Sequence, residues 1–581
     1  MTERFEIRRR LPEDFVVPAT LRHLHPVLGR VYAARHIADP TQLEHGLTSL
    51  APAEGLSHLE EAVDLLLWAL MEGRRILIVG DFDADGATST ALAVRALRAM
   101  GAARVDYLVP NRFAYGYGLT PEIVQVARDL GPDLVVTVDN GVSSLEGVQA
   151  ARAEGMRVLV TDHHLPGQRL PAADAIVDPN LPGDRFPSKS LAGVGVIFYV
   201  MLALRARLRA EGWFEARSLP EPNMARFLDL VALGTVADVV PLDHNNRILV
   251  EQGLRRIRAG QCVPGISALL QVARRDRERL VASDLGFAVG PRINAAGRLE
   301  DMSLGIECLL SEDFDRALAL ATRLDELNRE RREIETEMQA QALTVLEGLR
   351  GRLSDTSLPP GLALFDEGWH QGVIGILAGR IKERFHRPVI AFAPAGEGEL
   401  KGSARSIPGL HIRDALDTLA SRHPGLVTRF GGHAMAAGLS LPESHFAPFR
   451  EAFAEIVGEL LDPADLTGVV HSDGGLDGPD LGLDLAERLR DGGPWGQGFP
   501  EPVFDGTFGI AARRVVGERH LKLVLQPGRG GAAIDAIAFN ADFEGWPGEG
   551  GEVHIAYRLD VNEYQGRRSA QLIVEHLQGP A

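Results

Sequence analysis

The chain of 581 residues predicts an α/β fold of two lobes followed by a β-barrel, on three patterns. From Arg74 to about Val160, short β-branched or Leu-rich runs alternate with helical runs, and repeated βα units imply a mostly parallel sheet covered by helices. A second α/β unit begins at Leu362–Phe365 and runs to about Glu459. Beyond Pro463 the texture changes to short alternating segments separated by Gly-rich turns, which suggests a small barrel.

In the first unit the periodicity predicts strands at Ile76–Val79, Val105–Val109, Leu134–Val138 and Arg157–Val160. Helices are expected at Ala87–Met100, Pro121–Leu130 and Ser144–Glu154, with Gly86, Gly101 and Gly141 at the turns. A largely helical stretch follows, including Val194–Ala210 and Met224–Leu233. From Asp313 to Leu349 apolar residues recur at three- and four-residue spacing. That pattern fits either one helix of roughly 50 Å, a rigid connector, or two helices broken near Asn328. The second unit opens with a strand at Leu362–Phe365, then Trp369–Gly375 leading into a helix, then a strand at Val389–Ala393. In the tail, Leu521–Leu525, Ile534–Phe539, Val553–Leu559 and Ala570–Glu575 read as strands.

Composition sets limits on function. A hydrophobic content of 45% with 24% charged residues is that of an ordinary globular protein, long enough for about four domain-sized units. The two cysteines, Cys262 and Cys308, have neither zinc-site spacing nor disulfide-scaffold density, so a reducing cytoplasm is expected. No signal core or membrane-spanning apolar run is read, which excludes a membrane partner. A net charge of −18 argues against coating nucleic acid by bulk electrostatics. Yet Gly372–Arg413 holds seven basic and three acidic residues, a local +4 that suits a polyanion.

The chemistry is carried by acidic groups placed where predicted strands run out. They are Asp81, Asp83 and Asp85 in Asp-Phe-Asp-Ala-Asp-Gly, Asp139 in Asp-Asn-Gly, Asp162-His163-His164, and Asp238 in Val-Ala-Asp-Val-Val. Ligands bind at such strand ends in open α/β sheets. Spacing of i, i+2, i+4 would point the first three carboxylates to one side of an extended backbone. Asp-rich loops also cap helices, and Asp-Asn-Gly is a common turn, so each group alone has a structural explanation. Two adjacent histidines cannot face one point from a regular strand. One can therefore ligate metal while the other meets substrate, with Asp162 orienting an imidazole. So many carboxylates at one edge repel unless hard divalent cations such as Mg²⁺ or Mn²⁺ join them, and the pattern reads as a two-metal hydrolase.

These motifs resemble the four phosphoesterase motifs of the DHH superfamily. Gly431-Gly432-His433-Ala434-Met435-Ala436-Ala437-Gly438 is similar to the signature of its DHHA1 substrate domain. Gly290-Pro291-Arg292-Ile293-Asn294-Ala295-Ala296-Gly297-Arg298, Trp369-His370-Gln371-Gly372 and Lys401-Gly402-Ser403-Ala404-Arg405-Ser406 narrow the resemblance to the RecJ single-strand-specific DNA exonucleases, over nearly the whole chain. The resemblance implies an N-terminal segment and DHH domain over 1–312, a connecting helix over 313–350, a DHHA1 domain over 351–462 and an OB-fold-like domain over 463–581.

By the same resemblance, Asp83, Asp85, Asp139, His163 and Asp238 hold two Mn²⁺ or Mg²⁺ ions, with Asp81 an added ligand or an outer base. His164 contacts the scissile phosphate. Ser403 and Arg405, with Arg112 in Pro-Asn-Arg-Phe, are implied for a 5′-terminal phosphate. Arg298 faces either the strand or the metals, and His370, Gly432 and His433 line the substrate cleft. Phe499, Phe504, Phe508, Phe539 and Tyr564 are candidates for stacking on bases, with core packing the expected role for most.

The implied activity is 5′→3′ digestion of single-stranded DNA to 5′-mononucleotides in repair and recombination, with a channel between the lobes excluding a duplex. The partners implied are single-stranded DNA with a 5′ end, single-strand-binding protein and a helicase, and the chain is expected to act as a monomer. Rival readings are a phosphodiesterase of short oligoribonucleotides or cyclic dinucleotides, and an inactive DNA-binding scaffold. The length and the barrel-like tail speak against the first and the intact ligands against the second.

Overall fold

Strands Ile76–Gly80 and Leu134–Val138 are buried at every position, as continuous apolar runs require when helices cover both faces of a sheet. They lie at the centre of an all-parallel five-stranded sheet. Its order is Val105–Leu108, Ile76–Gly80, Leu134–Val138, Arg157–Thr161 and Ala175–Val177. From Ile76–Gly80 the chain first goes outward to Val105–Leu108 and then crosses to Leu134–Val138 on the other side. The carboxyl ends of the two central strands therefore flank the point where strand order reverses, which opens a crevice there.

This computed structural model describes residues 5–110, 118–352, 358–517, 519–528, 531–541 and 543–578. They fall into two compact units, one from Val16–Asn328 with Asp484–Pro502, the other from the described parts of Met1–Phe15, Arg329–Leu483 and Val503–Ala581. The parallel sheet belongs to the first. Helices Gly193–Ala210, Leu228–Ala237 and His244–Arg258 pack in the same unit.

The Asp313–Leu349 periodicity resolves as one helix, Phe314–Arg352, of 39 residues. Its residues to Asn328 group with the first unit and those from Arg329 with the second. In the second unit, its Met338, Ala342 and Leu346 share a core with Leu362, Leu364, Trp369 and Leu377, and Gln341 Oε1 accepts from Trp369 Nε1 at 2.8 Å. The sheet there runs Arg429–Gly432, Ala436–Pro442, Glu399–Arg405, Val389–Gly396 and Leu362–Phe365, with only the last pair parallel. Helices Ile412–Arg422 and Phe446–Leu460 contribute to a second core with Ile390, Phe392 and Leu441.

The tail closes into a five-stranded barrel of Phe504–Val516, His520–Pro527, Ile534–Ala538, Arg567–Gln578 and Glu552–Tyr564. Alternate residues such as Leu521, Leu523 and Leu525, or Val553, Ile555 and Tyr557, fill its interior. Phe504 and Phe508 belong to that core, and among the stacking candidates whose side chains are described only Phe539 is exposed. Phe499 is not in the barrel at all. It stacks on Trp495 at 5.0 Å within the first unit, under the Arg247 guanidinium. The side chain of Tyr564 lies outside those described.

Candidate metal centre

The Asp81–Asp85 run is not extended, contrary to its spacing. Strand Ile76–Gly80 ends, and helix Ala84–Ala99 starts three residues before the periodicity predicts, because Asp83 caps it: Asp83 Oδ1 accepts from Gly86 N at 3.0 Å. Asp85 then sits in the first helical turn rather than on a strand. Gly86 is not the turn residue expected from sequence. It lies inside the helix, where a Cβ would be 2.5 Å from the Asp81 carbonyl oxygen, so the close approach of helix to loop needs glycine.

Asp139 follows strand Leu134–Val138 with φ of +62°, a left-handed conformation that a non-glycine residue adopts at a cost and that clusters at functional sites. Beside it, Asn140 Nδ2 donates to Val79 O at 3.1 Å and Val138 O at 2.9 Å, tying the ends of the two central strands. Asp238 is the second departure from expectation. It caps the C-terminus of helix Leu228–Ala237 instead of ending a strand, and the β-branched Val239 after it is forced to φ of +62°.

Packing brings all of these together. Single ligand atoms of Asp81, Asp83 and Asp139 lie within 4.8 Å of one another, as do those of Asp85, His163 and Asp238, and those of Asp139, His163 and His164. The first two triads are joined by Asp139 Oδ1 and His163 Nε2 at 3.1 Å, and His163 Nε2 is 3.5 Å from Asp238 Oδ2. Asp85 is fixed by the start of helix Gly193–Ala210, its Oδ2 accepting from Gly193 N at 2.7 Å and its Oδ1 from Val194 N at 3.0 Å.

Burial sets the electrostatics. It pushes Asp85 up to about 7, with the Asp83 charge adding to it, although the two amides act the other way. Asp81, Asp139 and Asp238 are driven well above the usual carboxylate range by the same desolvation, then by neighbouring carboxylates. Burial and the His164 charge lower His163 to about 4, which leaves a neutral imidazole at pH 7. His164 goes the other way. Burial opposes its charge, but Asp162 Oδ1 at 2.7 Å from Nδ1 outweighs that and raises it to about 9. Asp162, whose other oxygen accepts from Val142 N at 2.9 Å, stays below the ordinary range despite full burial.

The donor set fits hard divalent cations. Asp81 Oδ1 is buried without a hydrogen-bond partner among the described residues, and oxygen donors with one neutral imidazole suit Mn²⁺ or Mg²⁺.

Sequence reasoning passed over Asp178 and Asn180. Asp178 follows Ala175–Val177 as the other acids follow their strands, and that pattern was the signal available. Its Oδ1 accepts from Asn180 N, and Asn180 Nδ2 donates to the His163 carbonyl, each at 2.7 Å. Burial raises Asp178 to about 8.

In the second unit the structure gathers another group. Strand Glu399–Arg405 pairs with Ala436–Pro442 so that Ser403 faces Gly438 and Arg405 faces Ala436. Arg405 Nη1 donates to Ser403 Oγ at 3.2 Å and to Ala404 O at 2.8 Å. A Cβ on Gly375, near the start of helix Ile374–Phe385, would be 3.0 Å from both Ser403 Oγ and Arg405 Nη2. A guanidinium, a hydroxyl and a helix N-terminus thus converge as an anion site would require. The exposed ring of His370 accepts from Gly372 N at 3.1 Å. Gly432, at φ of +145°, makes the tight hairpin that exposes His433. Arg298 is half-buried in the last turn of helix Gly290–Leu299. Arg112 lies outside the described residues.

Three family models match in chain order: the DHH family N-terminal domain over residues 75–235, the DHHA1 domain over 359–459 and the RecJ OB domain over 472–576. The chain is 60% identical to the single-stranded-DNA-specific exonuclease RecJ of Dickeya dadantii, over 98% of this chain and 99% of that one. Crystal structures of RecJ from Thermus thermophilus with Mn²⁺ and with Mg²⁺ match it at TM-scores of 0.79 and 0.75. Their identities are 32% and 30%, and the matches cover all of this chain and 80% and 79% of theirs. The chain belongs to the RecJ family.

The raised carboxylates set a pH dependence. A carboxyl whose folded pKa lies above its unfolded value of about 4 makes the fold less stable as pH rises from that value through the folded one. Cations bind the deprotonated form, so their stabilising effect grows over the same range. The Tm gained on replacing EDTA by excess Mg²⁺ is expected to be larger at pH 8 than at pH 6. A gain equal or smaller at pH 8, by differential scanning calorimetry, contradicts the assignment of these groups as ligands.

Proposed function

We propose that this chain is a metal-dependent exodeoxyribonuclease that digests single-stranded DNA from the 5′ end and releases 5′-mononucleotides. The observation that carries the reading is the pair of ligand triads at the switch-point crevice, joined through Asp139 and His163. It is supported by relatives named single-stranded-DNA-specific exonucleases and by RecJ structures with Mn²⁺ and Mg²⁺.

Asp81, Asp83 and Asp139 would hold one ion and Asp85, His163 and Asp238 the other, Asp139 lying between them. Two such ions, when bound, activate a water and stabilise the charge on attacking and leaving oxygens. The remaining work falls to side chains. Asp162 keeps His164 protonated and oriented through Nδ1, so that Nε2 is the ring nitrogen that would donate to a scissile phosphate oxygen. The amides of Gly193 and Val194 keep the Asp85 carboxylate from turning away. Water attacks phosphorus, the bond to the terminal nucleotide's 3′ oxygen breaks, and that oxygen takes up a proton. The shortened strand again carries a 5′-phosphate, the group that Ser403 and Arg405 would bind. Arg298, His370, Gly432 and His433 are proposed to contact the strand, Arg112 to contact its 5′-phosphate, and the barrel to bind single-stranded DNA.

The division into 1–312, 313–350, 351–462 and 463–581 is retained as a proposal. So are action as a monomer in the cytoplasm and cooperation with single-strand-binding protein and a helicase, which would supply the single-stranded 5′ ends. Two cysteines free of disulfides support a reducing setting. Among the described residues no helix is long and apolar enough to cross a membrane.

Single strands labelled at either end test the activity and its direction. Mononucleotide should appear first from the 5′ end, and Asp139→Ala should bind strand but retain under about a tenth of wild-type turnover, since even outer partners of a metal contribute about 10–100-fold. First release from the 3′ end contradicts the polarity, and turnover above that level contradicts the metal assignment.

Arg405→Ala should raise KM on 5′-phosphorylated strands far more than on 5′-hydroxyl strands, because a guanidinium fork has its full value only against a charged oxyanion. Steady-state kinetics on both substrates measure this, and an equal effect on the two removes Arg405 from the end-recognition site.

A further inference from the structure

The stretch Gly290–Arg298 stands out in sequence, and the chemistry above uses only Arg298. Its place in the fold suggests another task. Helix Gly290–Leu299 follows a π-turn over Leu285–Val289 and is anchored by Arg292, whose Nε donates to Asp325 Oδ1 at 2.9 Å. Asn294 and Gly297 are three residues apart and so share a face of this helix. Both meet the Asp81–Asp85 loop. Asn294 Oδ1 accepts from Ala84 N at 2.7 Å across 210 residues of sequence. At Gly297 a Cβ would be only 2.0 Å from the Phe82 carbonyl oxygen, so the backbones touch there.

From these contacts we infer that Asn294 is a positioning residue for the metal centre, holding the Asp81–Asp85 loop in its ligating shape by satisfying the Ala84 amide. The inference rests on the two-ion reading of the carboxylate cluster. Helix Ala84–Ala99 begins with amides that have no partner within the helix. Asp83 Oδ1 already takes the Gly86 amide, and Asn294 takes the Ala84 amide. With Asn294 removed, the Ala84 amide would compete for the carboxylate of the capping residue before it, Asp83. A carboxylate pulled onto two amides is drawn away from Asp81 and Asp139, with which it forms a ligand triad. Asn294 touches no substrate in this account. It acts through Asp83, and Gly297 lets its helix come close enough to do so.

The test compares full-length wild type, Asn294→Ala and Asn294→Asp, the last keeping an acceptor oxygen at the same reach. Manganese binding is measured from the loss of the free-ion electron paramagnetic resonance signal on titration. Calorimetric melts in EDTA report the fold, and kcat and KM are measured on a 5′-phosphorylated single strand across manganese concentrations. Asn294→Ala should bind at least one manganese about 10- to 100-fold more weakly than wild type. Its kcat should fall at limiting manganese and recover at saturating manganese, with KM for the strand unchanged. Asn294→Asp should bind manganese as wild type does.

Unchanged manganese affinity in Asn294→Ala overturns the inference while leaving the two-ion reading intact. Equal loss in Asn294→Asp also overturns it, because the acceptor would then not be what matters. If Asn294→Ala does not fold, Asn294→Asp decides alone: manganese affinity equal to wild type upholds the inference, and a loss of about 10- to 100-fold overturns it. A wild type that binds no manganese overturns the two-ion reading, and the inference with it.

Discussion

Crowding of carboxylates in a space that water hardly reaches is the constraint on which the rest of this structure depends. Asp81, Asp85 and Asp139 are 4%, 1% and 2% exposed, and each has a ligand atom within 4.8 Å of another acid's. Two like charges at about 4 Å repel by about 4 kcal/mol at an effective dielectric of 20. A few such pairs would cancel the roughly 5–15 kcal/mol by which a domain is stable. The cluster must therefore bind protons or cations, and near neutral pH the cations have the advantage wherever ligands are already held in place.

Holding them is what the surrounding architecture does. The reversal of strand order between Ile76–Gly80 and Leu134–Val138 brings the ends of both strands to one crevice, and Asn140 ties those ends together. Helix starts then fix individual carboxylates, Asp83 at the start of Ala84–Ala99 and Asp85 against that of Gly193–Ala210. The two histidines are divided by one neighbour. Asp162 charges His164, and the charge on His164 helps keep His163 neutral, so adjacent rings 4.5 Å apart take opposite roles.

Much of this was legible in the sequence because the parallel sheet writes itself as apolar runs ending in polar residues. Helix Pro121–Leu130 and strand Leu134–Val138 fall where periodicity puts them, since Thr120 and Gly131 mark one and full burial marks the other. The Asp-rich loop was legible as a gathering of carboxylates that could hold a metal and misread as extended, because side-chain capping by Asp83 overrides the i, i+2 pattern. Asp238 was found as an acid and misplaced on a strand, since Thr-Val-Ala-Asp-Val-Val is as β-branched as a strand while tertiary packing makes its first half helical. Contacts spanning 100 residues or more left no local trace. Gly193 on Asp85 and Asn294 on Ala84 have no spacing to betray them, and strand Phe5–Arg9 pairs in parallel with Gly468–Ser472, with Arg9 Nη2 2.9 Å from Asp505. Phe499 shows the same limit from the other side, for composition placed it with the barrel aromatics and packing put it beside Trp495.

Crystals of the protein soaked in Mn²⁺ and measured at the manganese absorption edge test the central claim most directly. Two anomalous peaks about 4 Å apart are expected, as two-ion sites require. One should lie on Asp81, Asp83 and Asp139 and the other on Asp85, His163 and Asp238, with Asp139 between. A single peak, or peaks away from these side chains, would contradict the account.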